Sequence, residues 1–284
     1  MLSLKARRIS FLAIFTLFVV LGTHPGSVSG QNCGCATYEC CSRFGYCGTG
    51  DAYCGHGCRS GRCYSSPEDR NIDGKRVSSI VTDEFFNAIL DQADEGCPGK
   101  GFYTRAAFLE ALSSFPNFGT DGSADVSKRE IAAFFAHVTH ETGFMCNIEE
   151  LNGPSKAARG EYCDRQNTEY PCKRGKGYYG RGPIQLSWNF NYGAAGDSIG
   201  FDGLNDPDIV DRDRIISFKT GLWFWMNQCH RIITSGKGFG GTIQAINGPL
   251  ECNGANPSTV RARVEYYREY CDKLGVDPGT NLSC

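Results

Sequence analysis

Residues 127–150, with the sequence SKREIAAFFAHVTHETGFMCNIEE, decide the fold of the larger part of this chain. Ser127 and Glu130 have the S-x-x-E spacing of a capping box, which predicts that a helix begins there. Gly143 is expected to end the helix, because glycine readily adopts the left-handed conformation found after helices. Apolar residues at helical spacing predict that one face is buried, and these are Ile131, Phe134, Phe135 and Val138.

Two glutamates in this segment have different settings. Glu141 falls on the apolar side of the predicted helix, where partial loss of water favours the protonated carboxyl and suits a general acid. Glu150 is expected on the following loop, where an ionised carboxylate in contact with water can act as a base. The alternative is that Glu141 only caps the helix end by pairing with His137, one turn back. The two carboxyl groups are the best indication of function in the sequence.

Helical signals dominate the long C-terminal part of the chain. Thr82 and Thr104 each precede apolar residues at helical spacing and are expected to be N-caps. A further helix is expected from about Asp211, and a last one from near Ser258. The best strand candidate is Ile184–Trp188. The sequence therefore predicts a mainly α fold for this part.

The N-terminal residues 1–30 have the parts of a secretory signal peptide, with basic residues followed by an apolar run at Phe11–Leu21. That run is too short to span a membrane. Cleavage before Gln31 removes three basic and no acidic residues, which takes the net charge from −2 to −5. A neutral polymer is therefore a better candidate partner than nucleic acid. We expect an extracellular protein without a membrane anchor, rather than a vacuolar one, since no tail resembles a vacuolar signal.

Sixteen cysteines in a secreted chain predict disulfide bonds, and eight of them fall between Cys33 and Cys63. So short a segment cannot bury enough apolar surface to fold alone, and disulfides are expected to hold it together. Zinc is the alternative explanation, although an exported chain meets oxidising conditions. Residues 65–75 are polar, contain Pro and Gly, and predict a linker. Residues 31–64 are then a small disulfide-rich N-terminal module, and residues 76–284 a second domain.

The run CCSRFGYCG at residues 40–48 and the later Tyr53 place aromatic rings in a module with almost no core. Exposed rings can stack on sugar faces while a hydroxyl group bonds to an acetamido group. Residues 32–63 resemble a hevein-type chitin-binding domain, which implies that N-acetylglucosamine oligomers bind to Ser42, Phe44, Tyr46 and Tyr53. The resemblance also implies the bridges Cys33–Cys41, Cys35–Cys47, Cys40–Cys54 and Cys58–Cys63. The alternative is that the rings only fill space around the bridges.

Residues 177–192, GYYGRGPIQLSWNFNY, combine tight backbone with aromatic rings and neutral polar groups. Carbohydrates need neutral donors and acceptors for their hydroxyl groups and flat rings for their apolar faces, so this mixture suits a sugar cleft. The glycines match neither a dinucleotide-binding nor a P-loop pattern. Taken alone, the segment could also be an ordinary turn-rich loop.

Three motifs, HETG at 140–143, YYGRGPIQLS at 178–187 and INGPLEC at 246–252, resemble those of plant glycoside hydrolase family 19 chitinases. The short interval between the two glutamates and the small N-terminal module resemble class IV of these enzymes. The resemblance covers most of residues 76–284 and implies a lysozyme-like helical catalytic domain that hydrolyses internal β-1,4 bonds of chitin with inversion.

The resemblance also implies roles for individual residues. Glu141 would protonate the leaving oxygen, and Glu150 would activate water with help from Ser187. Glu251 and Arg263 match a charged pair that is thought to tune the acid, unless Arg263 is simply a solvated helix residue. The expected substrate-binding residues are Gln185, Asn191 and Asn247, with Tyr170 possible at the cleft edge.

The second domain has two more cysteines than the family pattern accounts for. The resemblance implies the bridges Cys97–Cys146, Cys163–Cys172 and Cys252–Cys284. The two left over, Cys229 and Cys271, lie on separate predicted helices, and an additional bridge between them is a hypothesis. Phe144 stands where class IV relatives commonly have histidine, which is expected to alter the cleft floor without touching the two carboxylates.

Other classes of function are weighed against this one. His137, His140 and Glu141 cluster on one helix, but the H-E-x-x-H spacing of a zinc hydrolase is absent, so we expect no metal and no cofactor. The leading interpretation is a secreted, monomeric endochitinase with a role in defence against fungi. The alternatives are a chitin-binding lectin with a lapsed catalytic domain and a muramidase acting on peptidoglycan.

Overall fold

A computed structural model describes residues 33–36, 39–42, 45–48, 51–54, 58–61 and 77–284 of the chain. Contacts between residues divide the chain into two units, residues 1–66 and 67–284. The predicted signal peptide and linker lie outside the described residues, as do Phe44 and Cys63. Among the described residues, no helix combines the length and the apolar character needed to cross a membrane.

The N-terminal unit is held together by disulfides around a very small sheet. Strands β1 (Cys40–Cys41), β2 (Cys47–Gly48) and β3 (Ser60–Gly61) form an antiparallel sheet in the order β2-β1-β3, and helix α1 (Asp51–Cys54) contacts it. The described bridges are Cys33–Cys41, Cys35–Cys47 and Cys40–Cys54. The Sγ atoms of Cys33, Cys35 and Cys47 lie close enough together to suggest a metal site. All three belong to disulfide bridges and cannot act as thiolate ligands.

The C-terminal unit is mainly helical, as predicted. Its helices include α2 (Asp83–Leu90), α3 (Gly99–Phe102), α4 (Arg105–Leu112), α5 (Ala124–Thr142), α6 (Gly153–Ala158), α7 (Asn189–Ile199), α8 (Ile209–Arg212), α9 (Arg214–Gln228), α10 (His230–Thr234), α11 (Phe239–Glu251) and α12 (Pro257–Lys273). Backbone φ angles of 52° at Gln185 and 77° at Trp188 interrupt the extended conformation, so the predicted strand Ile184–Trp188 is wrong. Within residues 77–284, only isolated bridges pair Arg181 with Glu149 and Leu186.

Helix α5 is the central element of this unit, but it begins earlier than the capping box predicted. Ser123 is its N-cap, and the Ser123 hydroxyl oxygen accepts a hydrogen bond from the Val126 N–H at 3.3 Å. Ser127 and Glu130 are both buried inside the helix. The Glu130 carboxylate instead accepts hydrogen bonds from Trp225 Nε1 at 2.9 Å and His230 Nδ1 at 2.6 Å. The prediction of a capping box is therefore wrong, because Trp225 and His230 bind the carboxylate of Glu130.

Most other predicted helix boundaries are confirmed. The Thr82 hydroxyl oxygen accepts from the Phe85 N–H at 3.1 Å, and the Thr104 hydroxyl oxygen accepts from the Ala107 N–H at 3.2 Å. Gly143 ends α5 in the left-handed conformation, with φ 63°. The last helix begins at Pro257, next to the predicted position.

Aromatic side chains form the core around α5. The predicted apolar face is fully buried, and its rings pack edge to face against each other, against Phe118 of a turn and against rings from other helices. Phe134 lies 5.6 Å from Trp225 of α9, and Phe135 lies 5.2 Å from Phe108 of α4, measured between ring centroids. This packing fixes the direction of α5 and therefore the position of Glu141 on its last turn.

Three disulfides are present in the C-terminal unit, Cys97–Cys146, Cys163–Cys172 and Cys252–Cys284. Cys229 and Cys271 are free and buried, so the hypothesis of an additional bridge between them is wrong. Burial raises the pKa of the Cys271 thiol to about 12, and both thiols belong to the apolar core. They act as small buried apolar side chains, a common role of unpaired cysteine.

Candidate active site

The last turn of α5 presents Glu141 at the edge of the core. Its side chain is 20% exposed. Burial raises the pKa of Glu141, although the neighbouring charge and hydrogen bond of Arg263 oppose the increase. A carboxyl group of this kind retains its proton to higher pH than an ordinary glutamate and can donate it to a substrate oxygen.

Arg263 of α12 connects two carboxyl groups. Its guanidinium is buried and donates from Nη2 to Glu141 Oε1 at 2.5 Å. It also donates to both oxygens of Glu251, at 2.8 Å from Nε and 2.7 Å from Nη2. Such a bidentate contact between arginine and a carboxylate is among the strong charge-assisted hydrogen bonds. Arg263 is therefore not a solvated helix residue.

The pKa values of the two carboxyl groups bound to Arg263 shift in opposite directions. Burial by itself would raise the pKa of Glu251, but its hydrogen bonds to Arg263, the charge of Arg263 and a hydrogen bond from Asn247 lower it overall. The Asn247 amide donates to Glu251 Oε1 at 2.7 Å. The pKa of Glu141 is therefore shifted upward and that of Glu251 downward, so Glu141 retains its proton to higher pH than Glu251 does.

His137 is buried beneath this cluster and does not pair with Glu141. Its Nε2 lies 2.8 Å from the Thr242 hydroxyl oxygen, and its Nδ1 accepts a hydrogen bond from Arg263 Nη1 at 3.0 Å. Burial and the charge of Arg263 hold the pKa of His137 well below its usual range, so the ring is neutral. The helix-cap alternative for Glu141 and His137 is therefore wrong. With both ring nitrogens engaged, His137 has no lone pair to offer a metal.

A left-handed turn leads from α5 to the second glutamate. Gly143, Phe144 and Met145 have φ angles of 63°, 60° and 60°, a conformation that costs free energy in residues other than glycine. The Met145 N–H donates to the Thr142 hydroxyl oxygen at 2.8 Å. The Cys97–Cys146 bridge follows directly. These contacts determine how the loop leaves the helix.

Glu150 lies on the loop between α5 and α6, with its side chain 21% exposed. Its backbone N–H donates to the Gly180 carbonyl at 2.8 Å, which joins it to the glycine-rich loop, residues 177–192. Its Oε1 accepts a hydrogen bond from the Tyr162 hydroxyl at 2.9 Å and forms an ion pair with Lys156. Neither Lys156 nor Tyr162 was singled out in the sequence, because no spacing signal connects them to Glu150.

The glycine-rich loop brings three of the predicted polar residues together. The Ser187 hydroxyl donates to the Gln185 carbonyl at 3.0 Å, and the Asn191 amide donates to the Ser187 carbonyl at 2.9 Å. A Cβ on Gly180 would lie only 2.9 Å from Gln185 Oε1, so the Gln185 side chain packs directly on Gly180. Because Gly180 contacts Glu150, the three residues lie on the same side of the site as Glu150.

Arg181 holds this loop in place, and the sequence did not reveal its role. Its buried guanidinium lies 3.7 Å from the centroid of the Tyr179 ring. It donates to Asp208 at 2.5 Å, to Asp211 at 2.8 Å and to the Tyr192 hydroxyl at 3.0 Å. Arg181 lies between two glycines inside the motif YYGRGPIQLS, but neither feature indicated these contacts.

Tyr170 is not joined to either carboxyl group by the contacts of the structure. Its hydroxyl donates to Asp197 at 3.1 Å, and its ring packs against Gly193 of α7. Tyr170 therefore lies beside α7. Asn247, in contrast, binds Glu251, which shares Arg263 with Glu141.

In the N-terminal unit, the Tyr46 ring is 54% exposed. Ser42 is buried, and its hydroxyl oxygen accepts a hydrogen bond from the Tyr46 N–H at 3.2 Å. The Tyr53 ring lies against Gly48, where a Cβ would come within 2.7 Å of it. Ser42 thus supports the backbone of an exposed tyrosine, while Phe44 lies outside the described residues.

The mainly helical fold carries one carboxyl group with a raised pKa and a second carboxyl group on a loop, a pairing typical of glycoside hydrolases. The family described as Chitinase class I, glycoside hydrolase family 19, matches residues 80–284. The chain belongs to this family and is a glycoside hydrolase.

Known proteins resemble the chain over nearly its whole length. Endochitinase EP3 of Arabidopsis thaliana is 57% identical over 273 residues, which is 96% of this chain and 97% of the relative. Chitinase 5 of Oryza sativa subsp. japonica is 55% identical, covering 97% of each chain. The crystal structure of a family GH19, class IV chitinase from Zea mays is 56% identical and has a TM-score of 0.69. It matches 74% of this chain and 100% of the solved chain.

Proposed function

We propose that the protein is a secreted endochitinase that hydrolyses internal β-1,4 bonds between N-acetylglucosamine units of chitin with inversion. The observation that carries the proposal is the buried Arg263, which binds both Glu141 and Glu251. The raised pKa of Glu141 supports the role of proton donor for Glu141, while Glu150 on the loop is the proposed base.

In the proposed reaction, Glu141 donates its proton to the glycosidic oxygen as the bond to the anomeric carbon breaks. Glu150 removes a proton from a water molecule, whose oxygen attacks the opposite face of the sugar. Ser187, on the same side of the site as Glu150, helps to hold that water. Inversion requires carboxyl groups about 6.5–9.5 Å apart, with space for the water between them.

Neutral polar side chains suit the substrate. Gln185 and Asn191 on the Glu150 side, and Asn247 on the Glu141 side, offer amide groups for the hydroxyl and acetamido groups of the sugars. Tyr170 remains a candidate for the cleft edge. This distribution supports binding of sugar units on both sides of the broken bond.

The N-terminal module is proposed to bind chitin and to raise the local concentration of substrate. Its candidate contacts are Ser42, Phe44, Tyr46 and Tyr53, within a module of residues 31–64 joined by a linker of residues 65–75 to the catalytic domain of residues 76–284. We further propose secretion to the extracellular space, a monomeric state and a role in defence against fungi, all of which fit the signal-peptide pattern and the plant relatives.

Chromatography of the products from soluble chitin hexamer tests this function. We expect cleavage at internal bonds by the purified protein and a loss of about a thousandfold in kcat for Glu141→Gln. A parallel assay on bacterial peptidoglycan distinguishes a muramidase. Binding to chitin without cleavage of any oligomer would favour the lectin alternative and contradict the proposal.

A further inference from the structure

The two oxygens of the Glu150 carboxylate have unequal surroundings. Lys156 forms an ion pair with Oε1, and the Tyr162 hydroxyl donates to the same atom at 2.9 Å. Oε2 receives only the Gly180 N–H, at 3.4 Å. One oxygen is therefore held by two side-chain donors, while the other keeps most of its capacity to accept hydrogen bonds.

The two donors are themselves held in place. Lys156 Nζ lies 3.5 Å from the Tyr162 hydroxyl oxygen and 5.8 Å from the centroid of the Tyr162 ring. The Tyr162 ring packs edge to face on Trp188 at 5.7 Å, and the Tyr162 carbonyl accepts the Asn189 N–H at 3.2 Å. Tyr162 is thus attached to the glycine-rich loop, from which it reaches back to Glu150.

Helix α6, which carries Lys156, is also fixed to the site. Its first residue, Gly153, donates its N–H to the Glu150 carbonyl at 2.9 Å. A Cβ at Gly153 would come within 2.2 Å of the Tyr179 ring, so this glycine permits close docking of the helix. The Lys156 side chain is 31% exposed and therefore partly shielded. Its contact with Glu150 arises from a packed frame and not from a free surface lysine.

Resting on the proposed function, we propose that Lys156 and Tyr162 are positioning residues that anchor Oε1 of Glu150, so that Oε2 is the oxygen that takes the proton from the attacking water. In this step a water O–H bond breaks and its proton passes to Oε2. The water oxygen bonds to the anomeric carbon, and the departing sugar oxygen takes the proton of Glu141. Anchoring one oxygen limits rotation of the carboxylate and directs the other toward the water.

Steady-state kinetics on soluble chitin hexamer test this inference in the full mature chain. We expect Lys156→Met to lower kcat about tenfold while KM changes less than about twofold, because the base is misplaced and the substrate contacts are not. Lys156→Arg should recover most of the rate, since arginine also donates to carboxylates. Tyr162→Phe should lower kcat by a smaller factor. The matched control, Lys176→Met, replaces an exposed lysine and should behave as the unsubstituted protein.

An unchanged kcat in Lys156→Met would overturn the inference, as would a change confined to KM or failure of Lys156→Arg to restore the rate. Thermal unfolding of each variant separates misplacement of the base from loss of fold. If Lys156→Met does not fold, Tyr162→Phe and Lys156→Arg decide the question by the same kinetic criteria. Absence of cleavage by the unsubstituted protein would contradict the proposed function itself, so the two failures are distinguishable.

Discussion

The two sides of the site hold their glutamates in opposite ways. On one side, Glu141 and Glu251 share the buried Arg263, whose exposed fraction is 1%. On the other side, Glu150 pairs with Lys156, and both side chains remain partly exposed. A buried shared arginine biases which carboxyl group keeps a proton, whereas the partly exposed ion pair with Lys156 holds one oxygen of Glu150. The two glutamates are about equally exposed, at 20% and 21%, so the difference lies in their partners, a buried arginine on one side and a partly exposed lysine on the other.

The largest effect should come from removing the shared arginine. Arg263→Met leaves the buried Glu251 and the partly buried Glu141 without their common partner, and we expect the free energy of unfolding to fall by about 3–5 kcal/mol. Denaturant unfolding measures the change, with Arg261→Met, at an exposed position of the same helix, as the control. Lys156→Met should cost several times less because its ion pair is partly exposed. Equal losses in Arg263→Met and Lys156→Met would contradict the difference between the two sides.

Substitution of Glu251 offers a way to shift the pKa of the proposed acid, Glu141, without changing Glu141 itself. Glu251 raises the pKa of Glu141, while Arg263 lowers it. Glu251→Gln leaves Arg263 to act on Glu141 alone, so the pKa of Glu141 should fall. Because kcat declines as the acid loses its proton with rising pH, the alkaline limb of the pH profile should move to lower pH.

A pH–rate profile on soluble chitin oligomers measures this shift. Glu265→Gln, at an exposed position, is the control and should leave the alkaline limb in place. An alkaline limb that stays fixed in Glu251→Gln, or moves to higher pH, would show that Glu251 does not influence the proton donor in this way.

The smallest effect is expected outside the catalytic domain. Tyr46→Ala removes an exposed ring from the N-terminal module. Stacking of one sugar on an aromatic ring contributes modestly to binding of the polymer. We therefore expect a loss of about two- to fivefold in the rate on insoluble chitin. The rate on soluble oligomers should not change. A comparable loss on both substrates would mean that Tyr46 does not act through binding to the polymer.

The sequence was sufficient to predict the helix that carries Glu141, because the spacing of apolar residues along its buried face can be recognised within one short segment. It failed at the start of that helix, where Glu130 matched a capping pattern but is bound by Trp225 and His230. Those partners lie far along the chain and cannot be read from spacing. Similarly, spacing could not show that Cys229 and Cys271 remain free.

The sequence predicted those residues of the candidate site that match the family pattern. Arg263 was named from the resemblance, but its contacts with both Glu141 and Glu251 depend on α5, α11 and α12 meeting in space. Lys156 and Tyr162 lie outside the motifs and reach Glu150 only because α6 and the glycine-rich loop fold back on it. Residues that position a catalytic group through tertiary contacts leave no periodic signal.

The most direct test of this account is proton NMR of chitin oligomers during hydrolysis, recording the anomer of the newly released reducing end. Glu141 as acid and Glu150 as base for an attacking water predict that the α-anomer appears first and that the signal is lost in Glu141→Gln. Initial release of the β-anomer would mean that a carboxylate attacks the sugar directly, and would contradict the division of roles between the two glutamates.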